Sequence, residues 1–135
     1  MNAKEINEEF KKNNDFNYHN GIIIDEVSTD KVEVHVECKD YSLNIWKIMH
    51  GGLIFGLADI AIGVLCYANG NESVTIDSNI NYLKPIKKYA KAVATKVKTG
   101  KTISLYKADV FNEKDELCAT VTMNYYNMKE LIVNA

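Results

Sequence analysis

The sequence predicts an α+β fold: a mainly antiparallel sheet curled around one long central helix, with a short helix at the N-terminus. Three observations predict it. Residues 53–68 are apolar on every side, and a helix of that kind must be covered by other structure. Segments before and after it alternate apolar and polar residues with the period of a half-buried strand. No linker, repeat or low-complexity tract divides the 135 residues, so a single domain is expected over 1–135.

The elements follow in order. Residues 3–13 carry Ile6 and Phe10 four apart among Glu5, Glu8, Glu9, Lys11 and Lys12, a short amphipathic helix with a narrow apolar stripe that packs as an arm on the body. Ile22, Ile23 and Ile24 form a first strand before the break at Ser28, Thr29 and Asp30. KVEVHVEC, from Lys31, puts Val32, Val34 and Val36 on one face of a second. Residues 40–49 read as a loop by elimination. After the buried helix come four alternating stretches, 72–83, 89–98, 102–111 and 117–128. Pro85 marks the bend between the first two. Gly100-Lys101 and the polar residues 112–116 make the later turns.

Composition narrows the function. A net charge of -2 argues against a nucleic-acid partner, which draws a basic excess. The chain has no Arg, so bidentate guanidinium clamps are excluded and any anion falls to Lys or backbone N–H. Cys38, Cys66 and Cys118 show no metal-ligand spacing and read as buried thiols of a reducing cytoplasm. The N-terminus is charged and lacks the apolar core of a signal peptide. Residues 51–68 are borderline for a membrane span, but an acid near the centre and four glycines favour a core helix.

That acid is Asp59, the one charge in GGLIFGLADIAIGVLCYANGN. A carboxylate among Leu57, Ala58, Ile60 and Ala61 gives up hydration, so it must be paired, neutralised or used. Upstream, His50-Gly51-Gly52 opens the helix. The first N–H groups of a helix lack intrahelical partners and lie at the positive end of its dipole. Glycine there lets a substrate approach the backbone. Donors followed by a lone acid suggest a site that polarises and attacks a carbonyl. Asp59 stands eight residues past Gly51, about 12 Å along a helix axis, too far for one bound carbonyl to reach both. Two chains related by a two-fold axis would resolve this.

The string Asn44…His50-Gly51-Gly52-Leu53-Ile54-Phe55-Gly56-Leu57-Ala58-Asp59, with the strands that follow and Pro85, resembles the signature of PaaI-type acyl-CoA thioesterases of the hotdog superfamily. The likeness spans roughly residues 44–128. It implies a hotdog fold and an acyl-CoA substrate, hydrolysed without a cofactor or metal in a homodimer or dimer of dimers. The helix start of one subunit then faces the acid of its partner. Gly51 and Gly52 N–H groups would form the oxyanion hole and Asn44 would orient the carbonyl, unless it only closes its own turn. Asp59 would act as general base or as nucleophile. His50 would brace the loop or move a proton, and Thr75 would hold the attacking water or serve as an ordinary strand residue.

One position departs from the family. Glycine is common three residues after the Asn, where this chain has Lys47 after Trp46. A turn needing positive φ disfavours Lys, so either the loop takes another path or Trp46 shapes the acyl pocket. Lys84, Lys87, Lys88, Lys98 and Lys101 gather near strand ends, either as a solvated surface or as a platform for coenzyme A phosphates.

Other patterns carry less. Thr99-Gly100-Lys101-Thr102 imitates the end of a phosphate loop, but Thr95 stands where the first Gly belongs, so it is a hairpin turn. His35 and Glu37 lack a third metal ligand, and Cys66 lies too far along the helix to pair with His50. A non-catalytic acyl-CoA sensor and a hotdog hydratase or dehydratase are the alternatives. The retained acid argues against the first and the lack of a suitably placed His/acid pair against the second.

Overall fold

The computed structural model describes residues 1–128; positions 129–135 of the expected domain lie outside them. The elements are α1 (Ala3–Asn13), α2 (Phe16–His19), β1 (Ile23–Val27), β2 (Lys31–Glu37), α3 (Gly51–Ala68), β3 (Ser73–Tyr82), β4 (Tyr89–Lys98), β5 (Ile103–Phe111) and β6 (Leu117–Asn127). One six-stranded sheet runs β1-β2-β4-β5-β6-β3, and every neighbouring pair is antiparallel. Register shifts interrupt four of the ladders. Such bulges increase local twist and help a sheet curl.

β2, β4, β5 and β6 alternate as the sequence predicts, and their inner faces meet α3, whereas β3 is exposed along most of its length. Ala90, Ala92, Ala94, Ala108 and Ala119 are fully buried on the central strands, where Leu57, Ile62 and Leu65 of α3 are also buried. Small residues on the sheet let a bulky helix approach closely. The Gly100 turn admits no side chain, because a Cβ would lie 2.2 Å from the Ile103 carbonyl oxygen. This glycine serves a tight β4–β5 hairpin, not a phosphate cradle.

Three features differ from the expected pattern. Phe16–His19 forms a one-turn helix capped by Asp15, which accepts from Tyr18 N–H at 2.9 Å. Its single turn is too short to show a period. The loop 40–49 contains a 3-10 turn at Asp40–Ser42 and a bridge between Leu43 and Met49. The third difference concerns α3. The sheet covers only part of its circumference, leaving a half-buried to exposed stripe at Gly52, Phe55, Gly56, Asp59, Ile60, Gly63 and Tyr67. Phe16 lies over Gly56, where an added Cβ would come 3.3 Å from its ring. Asp59 is therefore half-buried on the open side of the helix rather than sealed in the core.

The two sheet edges are built differently. Along β1, the Asn7 amide of α1 donates to Ile24 O and accepts from Ile24 N–H, both at 2.9 Å. A side chain thus occupies backbone groups of that edge. The outer side of β3 has no such cover among the described residues, and most of its residues are exposed.

Candidate active site

The reactive residues fall at two places along α3. At its start, His50 is the N-cap, with φ -59° and ψ 132°, and its Nδ1 accepts from Gly52 N–H at 2.8 Å. That bond requires an unprotonated Nδ1. Tyr82 Oη donates to Gly51 O at 2.8 Å. The Gly51–Gly52 peptide is therefore held at both ends. This corrects the expected pair of free donors: Gly52 N–H is engaged by His50, and Gly51 N–H is the one without an acceptor among the described residues. His50 braces the helix start.

Asn44 closes its own loop. Its Oδ1 accepts from Trp46 N–H at 2.9 Å and Ile48 N–H at 3.4 Å. With that oxygen fixed, the Nδ2 donors remain for a ligand. Lys47 sits in the left-handed region at φ 62°, so the turn keeps a glycine-like path and Lys bears the strain. A cleft of about 380 Å³ opens here, lined by Asn44, Met49, Gly51, Gly52, Tyr82 and Lys84 among others. Trp46 is 74% exposed and does not line it, contrary to the expected acyl-pocket role within one chain.

Farther along α3, Asp59 meets β3 and β6. Thr75 Oγ1 donates to Asp59 Oδ1 at 2.8 Å. Tyr125 Oη donates to the same oxygen at 2.6 Å and lies 3.0 Å from the Asp59 carbonyl oxygen. Burial, reinforced by the hydrogen bond to Asp59, pushes the Tyr125 hydroxyl well above the usual tyrosine range, so it stays a donor. Asp59, Thr75 and Tyr125 border a second hollow of about 280 Å³. Gly51 and Gly52 line the first hollow and not the second; Asp59 lines the second and not the first. A larger hollow of about 530 Å³, at the far end of α3, carries Glu72 as its only charged side chain.

Of the lysines, Lys84 borders the cleft, but it is paired with Glu116. The pair's hydrogen bond raises the lysine and lowers the carboxyl. Lys87, Lys88 and Lys101 are exposed and line neither hollow, so one chain does not assemble the expected platform. Tyr125 and Tyr82 are the site residues that sequence reasoning missed. The alternation of β6 turns Tyr125 inward, and an inward tyrosine needs a partner for its hydroxyl, which was the available signal.

A backbone donor at a helix start, an acid on the same helix and a curled antiparallel sheet define a class of thioester-cleaving proteins. A family model described as the thioesterase superfamily matches residues 47–119. The chain belongs to that superfamily and is a thioester hydrolase with a hotdog fold. It is 25% identical to a thioesterase of Haemophilus influenzae, with a TM-score of 0.84 over 93% of this chain and 90% of that one. Escherichia coli PaaI shares the fold at a TM-score of 0.81 and 24% identity, with 91% of each chain covered. A Streptococcus mutans protein solved with acetyl CoA is 30% identical, with a TM-score of 0.75 over 78% of this chain and 87% of that one. Human acyl-coenzyme A thioesterase 13 is 31% identical over 87 residues, 62% of each protein.

Proposed function

We propose that the chain hydrolyses acyl-CoA thioesters in a two-fold dimer whose sites each combine the Gly51 end of one α3 with the Asp59 end of its partner. One observation carries this reading: each chain holds two half-sites in separate hollows along one helix. The edge strand β3 runs between them, with Tyr82 beside Gly51 and Thr75 beside Asp59. Val74 and Ile76 on β3 are 45% and 49% exposed, and the strand contains neither Lys nor Pro to discourage pairing. Two β3 strands pairing antiparallel, with the axis between Ser78 and Asn79, would set Thr75 of one chain opposite Tyr82 of the other. The Asn7 cover on β1 favours β3 as the joining edge.

In this site the thioester carbonyl oxygen accepts from Gly51 N–H, assisted by Asn44 Nδ2. One such donor supplies about 3–4 kcal/mol of transition-state stabilisation. Asp59 of the partner acts as general base. Water oxygen bonds to the carbonyl carbon while one water proton passes to Asp59 Oδ2. Collapse of the tetrahedral adduct breaks the C–S bond, and the leaving thiolate takes that proton back. The exposed Thr75 hydroxyl, which donates to Oδ1, keeps lone pairs to accept from the water. The cleft walls, apolar at Ile48, Met49 and Leu83, suit the pantetheine arm. Lys84, Lys87 and Lys88, which flank Pro85, are the cations offered to the phosphates. The acetyl CoA bound by the Streptococcus mutans relative supports the substrate class. The free thiols of Cys38, Cys66 and Cys118 suit a cytoplasmic location.

The test is release of free thiol from short-chain, long-chain and aryl-CoA thioesters, with Asp59→Asn as control. Hydrolysis of at least one class, abolished in Asp59→Asn, is expected. No hydrolysis of any thioester, or full activity in the variant, would overturn the proposal.

A further inference from the structure

Resting on that assignment of Asp59, we propose that Tyr125 is a positioning residue whose hydroxyl holds Asp59 Oδ1 and so presents Oδ2 alone for proton transfer. Tyr125 and Thr75 are register partners on β6 and β3, so their side chains emerge on one face. Both hydroxyls converge on Oδ1, at 2.6 and 2.8 Å. Oδ2 has no partner among the described residues. A carboxylate oxygen that accepts two O–H bonds has less electron density to offer a third proton, which makes Oδ2 the more basic position.

The two donors are not equivalent. Thr75 is exposed, and water can replace its hydroxyl. Tyr125 is 4% exposed, so its side chain is held by packing. Its hydroxyl also lies 3.0 Å from the Asp59 backbone carbonyl, tying the side chain to the helix that carries it. Tyr106 packs edge-on against the Tyr125 ring at 5.9 Å between centroids, which fixes the phenol. Tyr125 from β6 and Cys66 from α3 itself are titratable groups within electrostatic reach of Asp59. Burial pushes the Cys66 thiol up, so it stays neutral. The hydrogen bonds from Tyr125 and Thr75 thus fix the orientation of the carboxylate.

Tyr125→Phe removes the hydroxyl and keeps the ring. Expected is a fall in kcat of about ten- to a hundredfold with KM changed less than about twofold, as for a misaligned catalytic group. A merely structural tyrosine would not separate kcat from KM in this way. Site-specific 3-fluorotyrosine at position 125 keeps shape and hydroxyl and should retain kcat, while site-specific 4-fluorophenylalanine fills the same space without a donor and should show the same loss if Tyr125→Phe folds poorly. Unchanged kcat in the variants that lack the hydroxyl, with Asp59→Asn inactive, would overturn the role of Tyr125 and leave the hydrolase reading intact. An active Asp59→Asn would overturn both.

Discussion

Gly51→Pro offers a test of the split site with an unusually clean perturbation. Gly51 is the first residue of α3, where proline is tolerated because no intrahelical N–H bond is lost. His50, at φ -59° and ψ 132°, already has the conformation that a residue before proline prefers. The substitution therefore deletes the free donor with little cost to the helix. An added Cβ would lie 3.1 Å from Tyr82 Oη, so Gly51→Ala, which adds the same atom and keeps the N–H, is the control. Losing one oxyanion donor should lower kcat by about 10²–10³-fold, while Gly51→Ala loses far less. Gly51→Pro and Asp59→Asn chains are then mixed after reversible dissociation. Random pairing makes about half the dimers mixed, each with one doubly damaged and one intact site, so about a quarter of wild-type activity returns. If each site were built within one chain, every site in the mixture would keep one lesion. Activity would then stay at the level of the parents, refuting the two-chain site.

The remaining predictions concern the loop, the edge and the buried tyrosines. Lys47→Gly relieves a left-handed residue at φ 62°, and after the entropy cost of glycine should raise stability by about 0.5–1 kcal/mol in urea unfolding; a loss of stability would show that the Lys side chain matters more than the strain. Asn79→Lys sets two like charges beside the proposed axis, and should give folded monomers by light scattering with activity lost; active dimers would rule out β3 pairing there. Burial raises Tyr106 to about 12 and Tyr125 higher still. Because unfolded tyrosines ionise near pH 10, the contribution of Tyr106 is full below that pH and drains between about 10 and 12, a loss of roughly 3 kcal/mol. Tyr106→Phe should flatten this slope in denaturation measured at pH 8 and pH 11, and an equal slope in both proteins would contradict the assignment.

What the sequence shows depends on the range over which the physics acts. Strand alternation and the apolar helix are local patterns, and they place five strands to within a residue or two of their observed bounds. Asp59 was visible because a charge in an apolar run needs an explanation, and Thr75 because its position matched a motif. The engagement of Gly52 N–H by His50 was not visible. Histidine is an uncommon cap, and its role here depends on a backbone turn fixed by the His50 N–H bond to Ser42 O. Trp46 is a candidate pocket wall because Lys47 departs from the family's glycine, yet Asn44 Oδ1 accepts from the Trp46 N–H and the ring stays outside. Tyr125 required contact across 66 residues of sequence. Two separate needs pointed to that contact: a half-buried carboxylate wants donors, and an inward tyrosine wants an acceptor. The fold brings them together on one face. The acid that looked isolated along the chain is the best-anchored side chain on the open side of α3, with one oxygen held and one left for chemistry.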